Sequence, residues 1–301
     1  MRRPQANIEW PTMILLVTTY VIWGGALFWV SGWSLVVGII LSALAIAQQS
    51  SLQHEVLHGH PTRWQWLNET LVCASLNLAI PYGRFRDTHL AHHRDANLTD
   101  PYDDPESNFR TEDNWLALPN WAKRVCLFNN TLAGRMLLGP VLGQWSFMKT
   151  DAKQIDRDIA ASWGVHLATS AVLIWVVLQS AMPLWAYLMS VYLALSVLKV
   201  RTFLEHRAHD QSRARTVIIE DRGPLSLLFL NNNLHAVHHM HPDVPWYDLP
   251  ATFRNQRDRY LACNEGYLYS SYNTIFARHF LMPKDPVAHP LWHRSKETLD
   301  G

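Results

Sequence analysis

Two long tracts without charged side chains constrain the fold of this chain more than any other feature. From residue 10 through residue 53 there is no Asp, Glu, Lys, Arg or His, and from residue 159 through residue 198 the only ionisable side chain is His166. A helix that spans a bilayer needs about 20 apolar residues, so each tract is long enough for a helical hairpin. The sequence therefore predicts four transmembrane helices, with turns near residues 31–33 and 179–183.

The distribution of basic residues predicts how these hairpins are oriented. Both predicted turns lack charge, whereas basic side chains flank the other ends of the tracts, at Arg2, Arg3, Arg63, Lys153, Arg157, Lys199 and Arg201. Basic residues concentrate on the cytoplasmic side of membrane proteins. We therefore expect a multi-pass protein of the inner (cytoplasmic) membrane, with both termini and the segment between the hairpins in the cytoplasm.

The overall mean hydropathy of −0.08 would also suit a soluble protein with buried core helices. That average, however, includes the polar and charged residues 54–158 and 199–301. We interpret these as a cytoplasmic cap, within which residues 64–80 and 121–147 suit helices at the membrane surface. The predicted fold is a single all-α integral membrane domain over residues 1–301, in which a helical cap holds a histidine-rich dimetal site.

Net charge and cysteine content argue against nucleic-acid-binding, disulfide-rich and cysteine-zinc proteins. The net charge of +1 gives no electrostatic footprint for nucleic acid, so no nucleic-acid partner is expected. The three cysteines, Cys73, Cys126 and Cys263, are far apart and form no C-x-x-C pair. They predict neither a disulfide framework nor a cysteine zinc site.

Histidines carry the chemical signal of the chain. Three clusters occur: His54 and His58; His89, His92 and His93; and His235, His238 and His239. Members at i, i+3 or i+4 lie side by side on a helix. In the predicted topology all three clusters lie just outside the membrane on the same side, and His206 and His209 follow the fourth span.

So many histidines exceed what one metal ion needs. A zinc ion takes three or four protein ligands, and these clusters offer about twice that number, which indicates two ions. Imidazole suits iron, copper, nickel and zinc, so the ligand type leaves the metal open. Metal-bound histidines usually donate their other N–H to a carboxylate or carbonyl, and Glu55 and Asp87 are the acids we favour for this outer role.

Two alternatives use fewer of these residues. The sequence His54-Glu-Val-Leu-His58 is also the zinc-protease pattern, with Glu55 as general base. That interpretation leaves the other two clusters without a role. A histidine-rich metal carrier would place ligands along a path inside the membrane, where this chain has only His166.

The three clusters in this order resemble the membrane fatty acid desaturase superfamily, whose pattern is H-x(3,4)-H, H-x(2,3)-H-H and [HQ]-x(2,3)-H-H around two transmembrane hairpins. The resemblance implies a non-haem diiron enzyme with O2 as co-substrate, and it covers roughly residues 10–250. The implied iron ligands are His54, His58, His89, His92, His93, His206, His235, His238 and His239. His209 is a near neighbour of His206 that would be the alternative to it.

The resemblance leaves the reaction open. Many acyl desaturases have Asp where this chain has Glu55, and the H-E form is similar to membrane alkane monooxygenases. The stretch His241-Pro-Asp-Val-Pro-Trp-Tyr-Asp-Leu-Pro250 and the His206-Arg-Ala-His209 sequence are similar to carotenoid hydroxylases and ketolases. We expect desaturation of a fatty acyl chain, with hydroxylation or ketolation of a hydrocarbon or carotenoid as the main alternative.

Such a reaction needs a lipid substrate and external electrons. An apolar chain must reach the metal site, so a tunnel lined by apolar side chains is expected. The sequence has no cysteine cluster for an iron-sulfur centre and no glycine-rich dinucleotide fingerprint. The electron donor is therefore expected to be a separate ferredoxin, rubredoxin or small cytochrome with its reductase.

Overall fold

The computed structural model describes residues 8–94, 98–102 and 104–291. Within this part the chain is mostly helical, and four helices are long and apolar enough to cross a membrane. They are Trp10–Trp33, Leu35–Leu57, Arg157–Leu178 and Leu184–Thr202. The four predicted spans are thus present and fit an integral membrane protein, whereas Arg2 and Arg3 lie outside the described residues.

The first two spans meet at a tight connection. The first span comprises α1 (Trp10–Gly25), a π-helical segment (Ala26–Val30) and α2 (Ser31–Trp33). The chain turns at Ser34, just after the predicted turn, and the Ser34 hydroxyl accepts a hydrogen bond from a backbone N–H of α3 (Leu35–Leu57). Gly38 permits this approach, because a Cβ there would lie 2.2 Å from Ser31 Oγ.

The third and fourth spans complete the apolar layer. They are α9 (Arg157–Leu178) and α10 (Leu184–Thr202), joined at the predicted turn. Leu27, Ile46, Val177 and Tyr187 from different spans form one buried cluster. Large apolar side chains on the outer faces remain exposed, such as Trp33 at 83%, and outward apolar surface of this extent fits contact with lipid.

Apart from the 22-residue helix α8, each of the remaining elements has at most 13 residues. The helices are α4 (Gln65–Val72), α5 (Tyr82–Arg94), α6 (Glu112–Leu116), α7 (Asn120–Asn129), α8 (Leu132–Lys153), α11 (Pro224–Leu228), α12 (His235–Met240), α13 (Leu249–Asn255), α14 (Arg257–Cys263) and α15 (Tyr272–His279). Ser212–Ala214 is a 3₁₀ turn, and β1 (Ile218–Ile219) pairs in parallel with β2 (Leu268–Tyr269). The surface helix predicted over residues 64–80 is limited to α4.

A sharp bend separates α7 from α8, where the sequence predicted one surface helix over residues 121–147. The two helices meet at 114°. Gly134 lies in the bend, and a Cβ there would lie 1.8 Å from the carbonyl oxygen of Phe128. Only a residue without a Cβ fits so close to the backbone, so Gly134 allows α8 to turn and pack against α10.

A second buried cluster fixes the segment that follows α10. Val200, Phe203 and Leu204 pack against Val217 and Ile219 of the short strand region. The backbone of His206 forms an antiparallel bridge with Thr216, and the Ala236 N–H of α12 donates to the Val217 carbonyl at 3.0 Å. These contacts bring the last histidine cluster next to the end of the fourth span.

Candidate metal centre

The nine histidines implied as ligands come together as two adjacent groups. The first group is His54, His58, His89, His93 and His238, and the second group is His92, His206, His235 and His239. Within each group the ligand nitrogens all lie within 4.8 Å of one another. Spacing in the sequence does not assign these residues to one ion or the other, so this division comes from the tertiary structure.

Two helices contribute to both groups. On α5, His89 and His93 belong to the first group and His92 to the second. On α12 the proportion is reversed, since His235 and His239 belong to the second group and His238 to the first. Consecutive helical residues point about 100° apart at 3.6 residues per turn, so adjacent histidines face different groups.

The first group is anchored by the second span. His54 lies on the last turn of α3, which continues past its predicted end at residue 53, and His58 caps that helix. Within the described part of the chain, the Nε2 atoms of His54, His58 and His89 are buried without a hydrogen-bond partner. Buried polar atoms are normally satisfied, so these nitrogens suit metal ligation.

Hydrogen-bond acceptors orient two imidazole rings of the second group. Asp104 accepts from Nδ1 of His92 at 2.8 Å, and Asn232 Oδ1 accepts from Nδ1 of His235 at 3.1 Å. A neutral imidazole that donates through Nδ1 has a lone pair at Nε2. The Nε2 atoms of His92 and His235 lie 2.9 and 3.2 Å from Nε2 of His206. Converging lone pairs of this kind fit a cation.

Burial keeps most of these imidazoles neutral. Burial, reinforced by neighbouring imidazoles, lowers the pKa of His58 to about 2 and of His93 to about 3. The same causes hold the pKa well below its usual range for His206, His235, His238 and His239. Neutral imidazole is the form that binds metals, so little proton release opposes binding at these residues.

His92 differs from the rest. Burial alone would lower its pKa, but the carboxylates of Glu106 and Asp104, with Glu205, outweigh burial and raise the pKa of His92 to about 9. Burial would raise the pKa of Glu106, but His89 and His92 hold it below its usual range. A cation at Nε2 of His92 would replace this proton, so metal binding at the second group is coupled to proton release.

The two acids that orient ligand histidines were not predicted. Glu106 accepts from Nδ1 of His89 at 2.9 Å, as Asp104 does from His92. Asp104 also accepts from the backbone N–H groups of Thr99 and Glu106 at 2.8 and 2.9 Å. The signal available in the sequence was the acidic run Asp103-Asp104-Pro-Glu106 shortly after the second cluster, and Asn232 three residues before His235.

Glu55 and Asp87, the acids favoured from the sequence, have other partners. Glu55 accepts from the Trp246 backbone N–H at 2.9 Å and lies 3.9 Å from Nε2 of His60, whose Nδ1 bonds to Glu9. Asp87 pairs with Arg86 at 2.9 Å. Position next to a ligand in sequence was a poor guide, because neighbouring helical residues point in different directions.

The alternative to His206 lies elsewhere. His209 is 3.4 Å from a carboxylate oxygen of Glu265 and its side chain is 27% exposed. Nδ1 of His206 instead contacts Thr216 Oγ1 at 3.3 Å, which leaves its Nε2 toward the second group. The geometry therefore brings His206, rather than His209, into the centre.

A cavity of about 300 Å³ adjoins the histidines. His89 of the first group and His206 of the second both line it, together with Glu106. Its walls include Phe85, Leu195 and Leu198, and also several polar and charged side chains. A cavity that touches both groups is suited to bring a substrate to them.

Comparison with known proteins identifies the family to which this chain belongs. The model of the family described as "Fatty acid desaturase" matches residues 31–272, which include all nine histidines. The chain belongs to this family. No curated protein was found to match the chain. Membership implies a metal-dependent oxidoreductase of lipids in a membrane, and both histidine groups fit metal binding.

Proposed function

We propose that this fatty acid desaturase family member is a membrane non-haem diiron oxidoreductase that uses O2 and external electrons to desaturate a fatty acyl chain. The observation that supports the proposal is the pair of histidine groups joined by α5 and α12. Two groups of four and five imidazoles suit two ions better than one zinc ion with three or four ligands. In a zinc protease, Glu55 would face a bound water, whereas here it accepts from the Trp246 backbone.

The residues of the chain hold and orient the centre. When bound, the two iron ions would supply O2 activation and removal of hydrogen from an unactivated C–H bond. Asp104, Glu106 and Asn232 fix the imidazoles of His92, His89 and His235 through their Nδ1 atoms. Most of these rings are buried, which limits the access of water, and the adjoining cavity would position the acyl chain.

We also propose the membrane arrangement predicted from the basic residues. The first two spans would form one hairpin and the last two another, with both termini and the histidine cap in the cytoplasm. Fluorescent-protein fusions at each terminus test this, since green fluorescent protein exported unfolded to the periplasm does not fluoresce. Fluorescence from both fusions is expected, and a dark fusion at either end would contradict the arrangement.

A separate protein would bring the electrons to the cap, as a ferredoxin, rubredoxin or small cytochrome with its reductase. Purified, iron-loaded protein should turn over only when such a donor is added. Turnover driven by a reduced nicotinamide nucleotide alone would contradict this part of the proposal.

The reaction is tested by mass spectrometry of total lipids, including isoprenoids, from cells that express the chain or its His92→Ala variant. An acyl product that has lost a pair of hydrogens, present only with the intact protein, is the expected result. A product that has gained oxygen would show hydroxylation or ketolation instead. Equal lipid profiles in both strains, with the intact protein carrying iron, would contradict oxidation of these lipids.

A further inference from the structure

The cavity beside the histidine groups combines apolar and cationic walls. Ile80, Phe85, Leu195 and Leu198 form part of its apolar surface. Four cationic side chains also line it, namely Arg135, Lys199, Arg201 and Lys284. A wholly hydrocarbon substrate gives no reason for this many cations in one cavity, because buried charges are costly unless they are paired.

The acids that line the cavity make their short contacts with other groups, so two of these cations have no direct ion pair among the described residues. Asp104 and Glu106 bond to His92 and His89, as described above. Glu205 accepts from Arg201 at 3.0 Å, and Asp285 lies 3.0 Å from Lys284. Within the described residues, neither Arg135 nor Lys199 has a salt bridge to an acid.

Arg135 is held in place by neutral groups. It begins the second turn of α8 and is only 7% exposed. Its Nε donates to the Asn129 carbonyl at 3.0 Å and its Nη1 donates to Asn108 Oδ1. These bonds fix the guanidinium but do not neutralise it, and Nη2 makes no hydrogen bond within the part of the chain that the structure describes.

Lys199 approaches from the facing helix. It lies near the end of α10, which packs against α8. Its side chain runs along a glycine face of α8: Cβ atoms at Gly139 and Gly143 would lie 3.4 Å from its Cγ and Nζ, respectively. Across the described residues its ammonium group has no hydrogen-bond partner. Two like charges in one cavity repel, and an anion between them would remove that cost.

We propose that Arg135 and Lys199 bind the anionic group of the substrate, a carboxylate or a phosphate. The acyl chain of that substrate would lie along the apolar wall that includes Leu195 and Leu198. A guanidinium binds carboxylate and phosphate oxygens through parallel N–H bonds, and an ammonium adds a point charge. The inference rests on the proposed function because it assigns the head group of the acyl substrate.

The test is equilibrium binding of radiolabelled palmitate to the full-length, iron-loaded protein in phosphatidylcholine nanodiscs. Arg135→Gln and Lys199→Gln should each weaken palmitate binding about tenfold, since each removes a charge-assisted hydrogen bond. Lys199→Arg keeps the charge and should bind nearly as the unchanged protein does. The matched control is Lys149→Gln, which removes an exposed lysine from the same helix α8 and should have no effect.

Competition identifies the anionic group. Methyl palmitate, which lacks the charge, should displace palmitate poorly. Displacement by dipalmitoyl phosphatidate at lower concentrations than unlabelled palmitate would assign a phosphate, and the opposite order would assign a carboxylate. The inference is overturned if methyl palmitate competes as well as palmitate, or if both glutamine variants bind as Lys149→Gln does.

The two proposals fail separately. Binding is measured without turnover, so charge-dependent palmitate binding by a protein that oxidises no lipid would retain the anion site and contradict the enzymatic proposal. An oxidised acyl product, together with palmitate binding that is unchanged in Arg135→Gln and Lys199→Gln, would support the enzymatic proposal and contradict the anion site.

Discussion

The first and second histidine groups are built from the same two helices, but different surroundings hold them. The first group is completed by the rigid end of a membrane span, through His54 and His58. The second is completed by His206, from a segment fixed by the bridge to Thr216, and its rings are oriented by Asp104 and Asn232. The difference indicates that α3 positions part of the first group and that hydrogen bonds outside the four spans position the second, while α5 and α12 keep the groups adjacent.

The largest effects are expected for substitutions on α12, which contributes histidines to both groups. His238→Ala removes a proposed ligand of the first group and His235→Ala a proposed ligand of the second, so each variant should lose metal from its own group. Turnover should fall by more than about 100-fold in both, because even loss of an outer hydrogen-bond partner costs about 10–100-fold. Metal content by elemental analysis and iron spectroscopy of each variant provide the measurement.

The control for these variants is His241→Ala. His241 follows α12, contacts the Tyr260 ring and belongs to neither group. It should retain full metal content. If His238→Ala and His235→Ala lost the same spectroscopic component, the division into two groups would be wrong.

A smaller effect on metal affinity is expected when either of the two acids that orient histidines, Asp104 or Glu106, is replaced. Asp104→Asn should lower metal affinity at the second group by about 10–100-fold, as loss of an outer carboxylate does. Glu106→Gln should lower affinity at the first group by less, because the Glu106 side chain is 29% exposed against 1% for Asp104. Metal titration with a competing chelator measures both, and a larger effect of Glu106→Gln would reverse the comparison.

His92 should also differ from the other histidines of the centre in its effect on the pH dependence of the metal-free protein. The depressed pKa values of His58 and His93 mean that the unfolded chain takes up protons below pH 6.5 while the folded chain does not, down to about 3. Each such residue therefore removes up to about 1.4 kcal/mol of stability per pH unit as pH falls through that range. The raised pKa of His92 acts oppositely, since its contribution is present below 6.5 and is lost as pH rises to about 9.

Denaturation of chelator-treated protein across pH tests these signs. His93→Gln should flatten the acid side of the stability profile, and His92→Gln should flatten the side between pH 6.5 and 9. A His93→Gln profile that matched the unchanged protein on the acid side would contradict the assignment of a neutral buried ring.

The smallest effect is expected for the residue that the sequence left as an alternative to His206. His209→Ala removes a partly exposed contact with Glu265, and even charged surface pairs contribute only about 0–1 kcal/mol. Metal content and turnover should stay within about twofold of the unchanged protein on that basis. Loss of one metal from His209→Ala, with His206→Ala retaining both, would exchange the two assignments.

The sequence alone was sufficient for the four spans, for family membership and for the set of histidines that come together. Absence of charge over residues 10–53 and 159–198 is a direct requirement of the bilayer, and the helical spacing of His89, His92 and His93 is a local property. Both signals depend on neighbouring residues, so they can be recognised without knowledge of the fold.

Only the tertiary structure decided how those histidines divide, which acids orient them and which cations share their cavity. His92 and His206 are 114 residues apart, and Arg135 and Lys199, which line one cavity, belong to different helices. Glu55 is adjacent to His54 in sequence and yet bonds to Trp246, 191 residues away. Local spacing fixes the direction of a side chain relative to its own helix. The partner that it meets depends on how separate helices pack, and this packing is set by buried contacts distributed over the whole chain.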